Sequence, residues 1–157
     1  MSDNLRDLYR DIIMDHYRYP RGKKEIDDAS VKSEGKNPSC GDEIKLSLKI
    51  DDDRVKEVSV SCQGCAISVA SGSILSELVV EKDLDEVKKI ARIVKSMLKG
   101  EEDPDLGKLE MGDLEALQGV KDFPVRIKCA LLSWTTLIEG IESWQNSEEF
   151  EVSTTEN

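Results

Sequence analysis

Ile44-Lys45-Leu46-Ser47-Leu48-Lys49-Ile50, then Asp51-Asp52-Asp53, then Val58-Ser59-Val60 is the stretch whose reading decides the fold. Ile44, Leu46, Leu48 and Ile50 alternate with polar residues, as do Val58 and Val60, which is the period of strands with one buried face. The aspartate cluster between them reads as a turn, so a hairpin is the simplest connection. On either side the period becomes helical. Residues 4 to 17 carry Leu5, Leu8, Ile12 and Ile13 on one side and stop before Tyr19-Pro20-Arg21-Gly22. Beyond Cys65, residues 66 to 81 set Ile67, Ala70, Ile74, Leu78 and Val79 on one face.

Asp83-Leu84-Asp85-Glu86 has the spacing of a capping box. It opens a helix bearing Leu84, Val87, Ile90, Val94 and Leu98, which Gly100 closes. A short strand is expected near Ala29 to Lys32, an acidic loop over Glu101 to Gly107, and a short helix around Asp113 to Gln118. Asp122-Phe123-Pro124 starts the last helix, with the proline in its first turn. Helix, small sheet, then a run of helices gives an α+β fold: a small antiparallel β-sheet packed against several α-helices. It is read as one domain over residues 1–146, followed by an acidic polar tail, 147–157, expected to be disordered.

A chain of 157 residues can bury one adequate core. Its net charge of -11 argues against a nucleic-acid partner, which would need a basic stripe, and disfavours an anionic membrane surface. No apolar run approaches the roughly 18 residues of a membrane span. Met1-Ser2-Asp3-Asn4 lacks the basic-then-apolar layout of a secretory signal, so a cytoplasmic location is expected. There the four cysteines stay reduced, which favours metal binding or catalysis over a disulfide framework.

Cys40, Asp42, Cys65 and Cys129 together offer three sulfurs and a carboxylate, a metal-ligand set in a chain with one histidine. Cys40 and Asp42 share the parity of Ile44 and Leu46, so an extended chain points both to the sheet's buried side, behind the stiff loop Asn37-Pro38-Ser39. The bland alternative is two unrelated loop residues. Cys65 falls where strand gives way to helix, and the helix dipole there favours thiolate. Its alternative is a buried thiol in a tight turn. Cys129 lies about 140° from the centre of the last helix's apolar stripe, so it faces some other neighbour than the core. Cys62 continues the inward face of its strand and reads as core packing. His16, near the end of the first helix, is expected to be exposed or capping.

Asn37-Pro38-Ser39-Cys40-Gly41-Asp42, Gly64-Cys65-Ala66-Ile67-Ser68 and Pro124-Val125-Arg126-Ile127-Lys128-Cys129 resemble the U-type iron–sulfur cluster assembly proteins. Asp15-His16-Tyr17-Arg18-Tyr19-Pro20-Arg21 resembles that family's N-terminal segment, so the likeness spans roughly residues 5 to 144. Lys128 stands where the IscU-like branch has a histidine, and the interval from Cys65 to Cys129 is longer than in that branch. Both features resemble the SufU-like branch more closely. Cys62 is a departure from the motif.

The resemblance implies an IscU/SufU-like fold and a protein that accepts persulfide sulfur from a cysteine desulfurase of the SufS/IscS kind. It makes Cys40 the acceptor, and Cys40, Asp42, Cys65 and Cys129 the holders of Zn2+ or of the iron of a transient 2Fe–2S cluster. Two roles fit those ligands. A zinc-dependent sulfur acceptor exchanges a ligand for a desulfurase group and frees Cys40; a scaffold builds the labile cluster and passes it to downstream iron–sulfur apo-proteins or carriers. Aspartate is a harder and more weakly held ligand than a fourth cysteine, which suits exchange. Lys128 is a candidate for steadying a thiolate or persulfide, or a solvated lysine. A thioredoxin-like site at Cys62-Gln63-Gly64-Cys65 is a competing reading that requires parallel strands. A purely structural zinc is another, and it predicts unfolding when metal is stripped. The helices carry enough apolar surface to build a core without metal. Circular dichroism after chelation should therefore keep its helical signal; a loss of helix would favour the structural-zinc reading.

Overall fold

In a computed structural model describing residues 3–146 and 151–156, the hairpin forms as the alternation requires. Strand β2 (Asp42–Asp51) pairs antiparallel with β3 (Arg54–Gln63), setting Ile44 opposite Cys62, Leu46 opposite Val60 and Leu48 opposite Val58. The turn is Asp52-Asp53, with φ of 54° and 55°. Two left-handed residues in succession match the twist of the strands they join, and aspartate tolerates that conformation. A shift of register between Lys49 and Ile50 adds one residue to β3 there.

β1 (Val31–Asn37) lies antiparallel to β2 and is longer than the short strand expected near Ala29 to Lys32. Its inward residues after Val31 are Ser33, Gly35 and Asn37, so it lacks the apolar alternation that reveals a strand. The small residues admit a helix close by. A Cβ on Gly35 would sit 2.1 Å from Thr136 Oγ1, and Ser33 Oγ donates to Thr136 O at 2.8 Å. A further strand, β4 (Glu151–Thr155), runs parallel to β1 and gives the order β3-β2-β1-β4. This corrects the expectation of a disordered tail over those five residues, because the free edge of β1 supplies ladder partners that a polar segment can use. The part of that expectation covering 147–150 lies outside the described residues.

Of the four α-helices, α2 (Ala66–Leu78) and α4 (Pro124–Gln145) pack on the sheet, while α1 (Asp3–Arg18) packs against α2 and α3 (Leu84–Lys99) against α4. Asp83 caps α3 by accepting the Glu86 N–H at 2.8 Å, as its spacing predicts. Short 3-10 turns at Leu106–Lys108 and Gly112–Val120 fill the connection to α4. Helix α2 stops at Leu78 and is buried on more sides than one apolar face implies. Its serines pack inward: Ser71 Oγ donates to Ala130 O at 2.6 Å, tying α2 to α4. Because β3 runs antiparallel to β2, the Cys62–Cys65 segment does not sit in the parallel setting that a thioredoxin-like site needs.

On α1 the structure corrects two expectations. Leu8 is 53% exposed, and Tyr9 takes its place on the buried face beside the half-buried Leu5, Ile12 and Ile13. His16 is fully buried rather than exposed. Its Nε2 meets Asp113 Oδ2 at 2.7 Å and its Nδ1 meets Ser73 Oγ at 2.7 Å. A carboxylate only accepts, so Nε2 donates to Asp113. Ser73 Oγ also accepts the Arg21 N–H at 2.9 Å. The network latches α1 and its following loop to α2 and the Gly112–Val120 turn. Replacing His16 by alanine should cost about 2–3 kcal/mol of stability, since a fully buried side chain is removed and the buried Ser73 hydroxyl loses its partner, while water can still reach the exposed Asp113 carboxylate. Chemical denaturation measures this; a loss below about 0.5 kcal/mol would mean that the latch adds little to the stability of the native state.

Candidate metal centre

The mouth of the β1–β2 hairpin builds the site. Asn37 ends β1 and pairs directly with Asp42, which begins β2. Pro38, Ser39, Cys40 and Gly41 make the loop between them, turned by a bond from the Cys40 N–H to Asn37 O at 3.2 Å. Cys40 is half-buried on that loop, whereas Asp42 is buried at the strand's start. The end of β3 brings in Cys65 as the N-cap residue of α2. Gly64 before it has φ 152°, a conformation that side chains rarely adopt. A Cβ there would lie 2.1 Å from Asp42 Oδ1. The first turns of α4 supply Cys129, which is 0% exposed.

Asp42 is held at both oxygens. Oδ1 accepts the Cys65 backbone N–H at 2.8 Å, and Oδ2 accepts from Asn37 Nδ2 at 3.2 Å. The same Asn37 amide lies 3.5 Å from Cys129 Sγ. Donor atoms of Cys40, Asp42 and Cys129, three of the four residues singled out from sequence, fall within 4.8 Å of one another. Cys65 stands outside that tight group. Its thiol turns to Ser68 Oγ at 3.8 Å, a hydroxyl that Cys62 Sγ also approaches at 3.7 Å.

Burial is the main reason the Cys129 thiol lies far above its ordinary range, and the neighbouring Cys40, Asp42 and Cys65 add to it. Acidic groups crowded around a buried thiol keep it protonated unless a cation joins them. Cys40, Cys129 and Asp42 bring two sulfurs and a carboxylate together, a donor set that suits Zn2+ or iron, so these residues fit such a metal. Cys62 behaves differently. Burial pushes it up to about 11, and it packs against the core as the strand parity predicts.

Arg126 and Asn37 complete the surroundings. Arg126 Nη1 lies 3.9 Å from Cys40 Sγ, and hydrogen bonding to Cys129 is the largest cause holding the guanidinium above its usual range. Sequence reasoning singled out Lys128 for this electrostatic role, yet Lys128 makes no ion pair among the described residues. Helix spacing held the signal: Arg126 and Cys129 are three apart and share a face, while Lys128 is turned about 100° away. His16, Glu77 and Asp113 form a second group of potential ligands within 4.8 Å. There Arg21 already supplies a cation, 3.8 Å from Glu77, and both nitrogens of His16 are hydrogen-bonded.

Residues 8–130 match the NifU-like N-terminal domain, and the chain belongs to that family. It is 44% identical over 138 residues to the zinc-dependent sulfurtransferase SufU of Bacillus subtilis, covering 88% of this chain and 92% of that one. It is 35% identical over 144 residues to the iron–sulfur cluster assembly scaffold protein IscU of Streptococcus pyogenes, covering 92% and 89%. A crystal structure of a candidate iron–sulfur scaffold for the SUF system of Fervidobacterium islandicum superposes with a TM-score of 0.76 at 32% identity, covering 83% of this chain and 93% of that one. The α+β architecture read from sequence is the family's.

Gly64→Ala tests the geometry of the mouth. The added methyl must push Asp42 off the Cys65 N–H, so metal should be lost to a chelator on the order of 10-fold more readily. Unchanged retention would show that the Asp42–Cys65 bond does not set the site.

Proposed function

We propose that this protein serves iron–sulfur cluster assembly as a zinc-dependent sulfur acceptor, taking persulfide sulfur from a cysteine desulfurase on Cys40. The observation that carries this reading is the asymmetry of the thiols. Cys129 is fully buried in a helix and bonded to Asn37, whereas Cys40 is half-buried on a loop beside an exposed guanidinium. A thiol on a short loop can reach an incoming partner; one inside a helix cannot. The likeness to a protein named as a zinc-dependent sulfurtransferase points the same way.

Cys40, Asp42, Cys65 and Cys129 would hold the zinc, with Cys65 turning from Ser68. When bound, it keeps the thiols ionised at neutral pH. The Cys40 thiolate attacks the outer sulfur of the desulfurase persulfide. A new S–S bond forms on Cys40, the old one breaks, and the desulfurase cysteine leaves as a thiolate, with no net change in oxidation. Arg126 lies where it can face the negative charge that arrives with the terminal sulfur. Downstream iron–sulfur apo-proteins or carriers then receive the sulfur or the finished cluster.

The scaffold reading keeps the same four residues and treats a 2Fe–2S cluster as cargo; a relative named as an assembly scaffold supports it. Metal and acid-labile sulfide content of anaerobically purified protein separates the two, alongside Asp42→Ala. About one zinc per chain without sulfide is expected. Iron with matching sulfide, held more firmly in the variant, would favour the scaffold. With zinc present, Cys40→Ser should abolish persulfide labelling by a desulfurase; labelling at Cys65 or Cys129 instead would overturn the choice of acceptor.

A further inference from the structure

Asn37 touches two members of the site from behind. It is 0% exposed, and its Nδ2 donates to Asp42 Oδ2 at 3.2 Å and to Cys129 Sγ at 3.5 Å. Its Oδ1 has no partner among the described residues. A buried acceptor without a partner is destabilising, so an apolar side chain would serve packing better here. What the amide contributes here is therefore its N–H groups. Its orientation is also dictated, since a flipped amide would set Oδ1 against a carboxylate and a sulfur that both accept.

We propose that Asn37 is a positioning residue that makes Cys129 and Asp42 the permanent members of the ligand set and leaves Cys40 as the exchangeable one. This inference rests on the metal-site reading above. An N–H bond to a thiolate draws off electron density, which steadies the anion and lowers its nucleophilicity; groups behind a ligand commonly act this way. The bond falls on Cys129 and on Asp42. Cys40 has the Arg126 guanidinium on its solvent side at 3.9 Å, and Cys65 has Ser68. The amide thus sets Asp42 and Cys129 apart as a retained pair from Cys40 and Cys65, which it does not touch, and of those two Cys40 is the one on the loop. The grading is written into the hairpin, because Asn37 and Asp42 are cross-strand partners.

The test loads full-length, nitrogen-15-labelled protein with cadmium-113, a zinc surrogate visible by NMR. An N–H···S–Cd bond should give a scalar coupling between cadmium and the Asn37 side-chain amide. In parallel, Asn37→Leu, which keeps the volume and removes the donors, should release cadmium to a chelator on the order of 10–100-fold faster. It should also let iodoacetamide reach Cys129 once metal begins to leave, where wild type is alkylated at Cys40 first. Cadmium bound by wild type without coupling, and released no faster from the variant, would overturn the inference while leaving the site intact. No cadmium uptake at all would overturn the metal-site reading and the inference with it. Should Asn37→Leu fail to fold, the coupling in wild type decides.

Discussion

The hydrogen bond from the Cys65 backbone N–H to Asp42 Oδ1, at 2.8 Å, joins the start of a strand to the start of a helix. The geometry of the mouth depends on that bond. It fixes where α2 begins relative to the hairpin, and it demands a glycine at position 64 because a side chain there would strike Asp42. Placing an anion at a helix N-terminus is also favourable in itself, since the unpaired N–H groups and the helix dipole attract negative charge. The carboxylate is thereby held as an acceptor while its remaining lone pairs face the thiols.

The rest of the molecule supports that corner with ordinary packing. Leu46 and Leu48 of the sheet and Leu132 and Leu137 of α4 are fully buried, and small residues bring the layers close. Gly35 lets β1 approach Thr136, and Ser71 bonds α2 to Ala130 one residue beyond Cys129. Three elements that each carry a site residue are thus fastened to one another near those residues. Rigid mounting matters because thiolate ligands misplaced by a fraction of an ångström bind weakly. Cys40 is the exception: it stands on the loop between β1 and β2, outside the strands.

Where apolar periodicity carried the information, the fold was legible. The β2–β3 hairpin, the capped α3 and the proline-led α4 all follow from spacing alone. Cys129 stood out because it sits off its helix's apolar stripe, and it lies fully buried beside Asn37 at the hairpin mouth. What escaped was encoded in polar residues. β1 buries Ser33, Gly35 and Asn37, which carry no hydrophobic signal, and β4 is formed by a polar, hydroxyl-rich segment placed by the free edge of β1 and by contact with α4. His16 was misjudged for the same reason: its burial is made tolerable by partners 57 and 97 residues away. Arg126 was overshadowed by Lys128, although three-residue spacing to Cys129 pointed to it. Long-range hydrogen bonds leave no period in a sequence.

The central claim is a metal held by three cysteine sulfurs and the Asp42 carboxylate. X-ray absorption at the zinc edge of the zinc-loaded protein reads that shell directly. Three sulfurs at about 2.3 Å and one oxygen at about 2.0 Å are expected. A four-sulfur shell, with Cys62 taking the place of Asp42, or a nitrogen in the shell from His16, would contradict it.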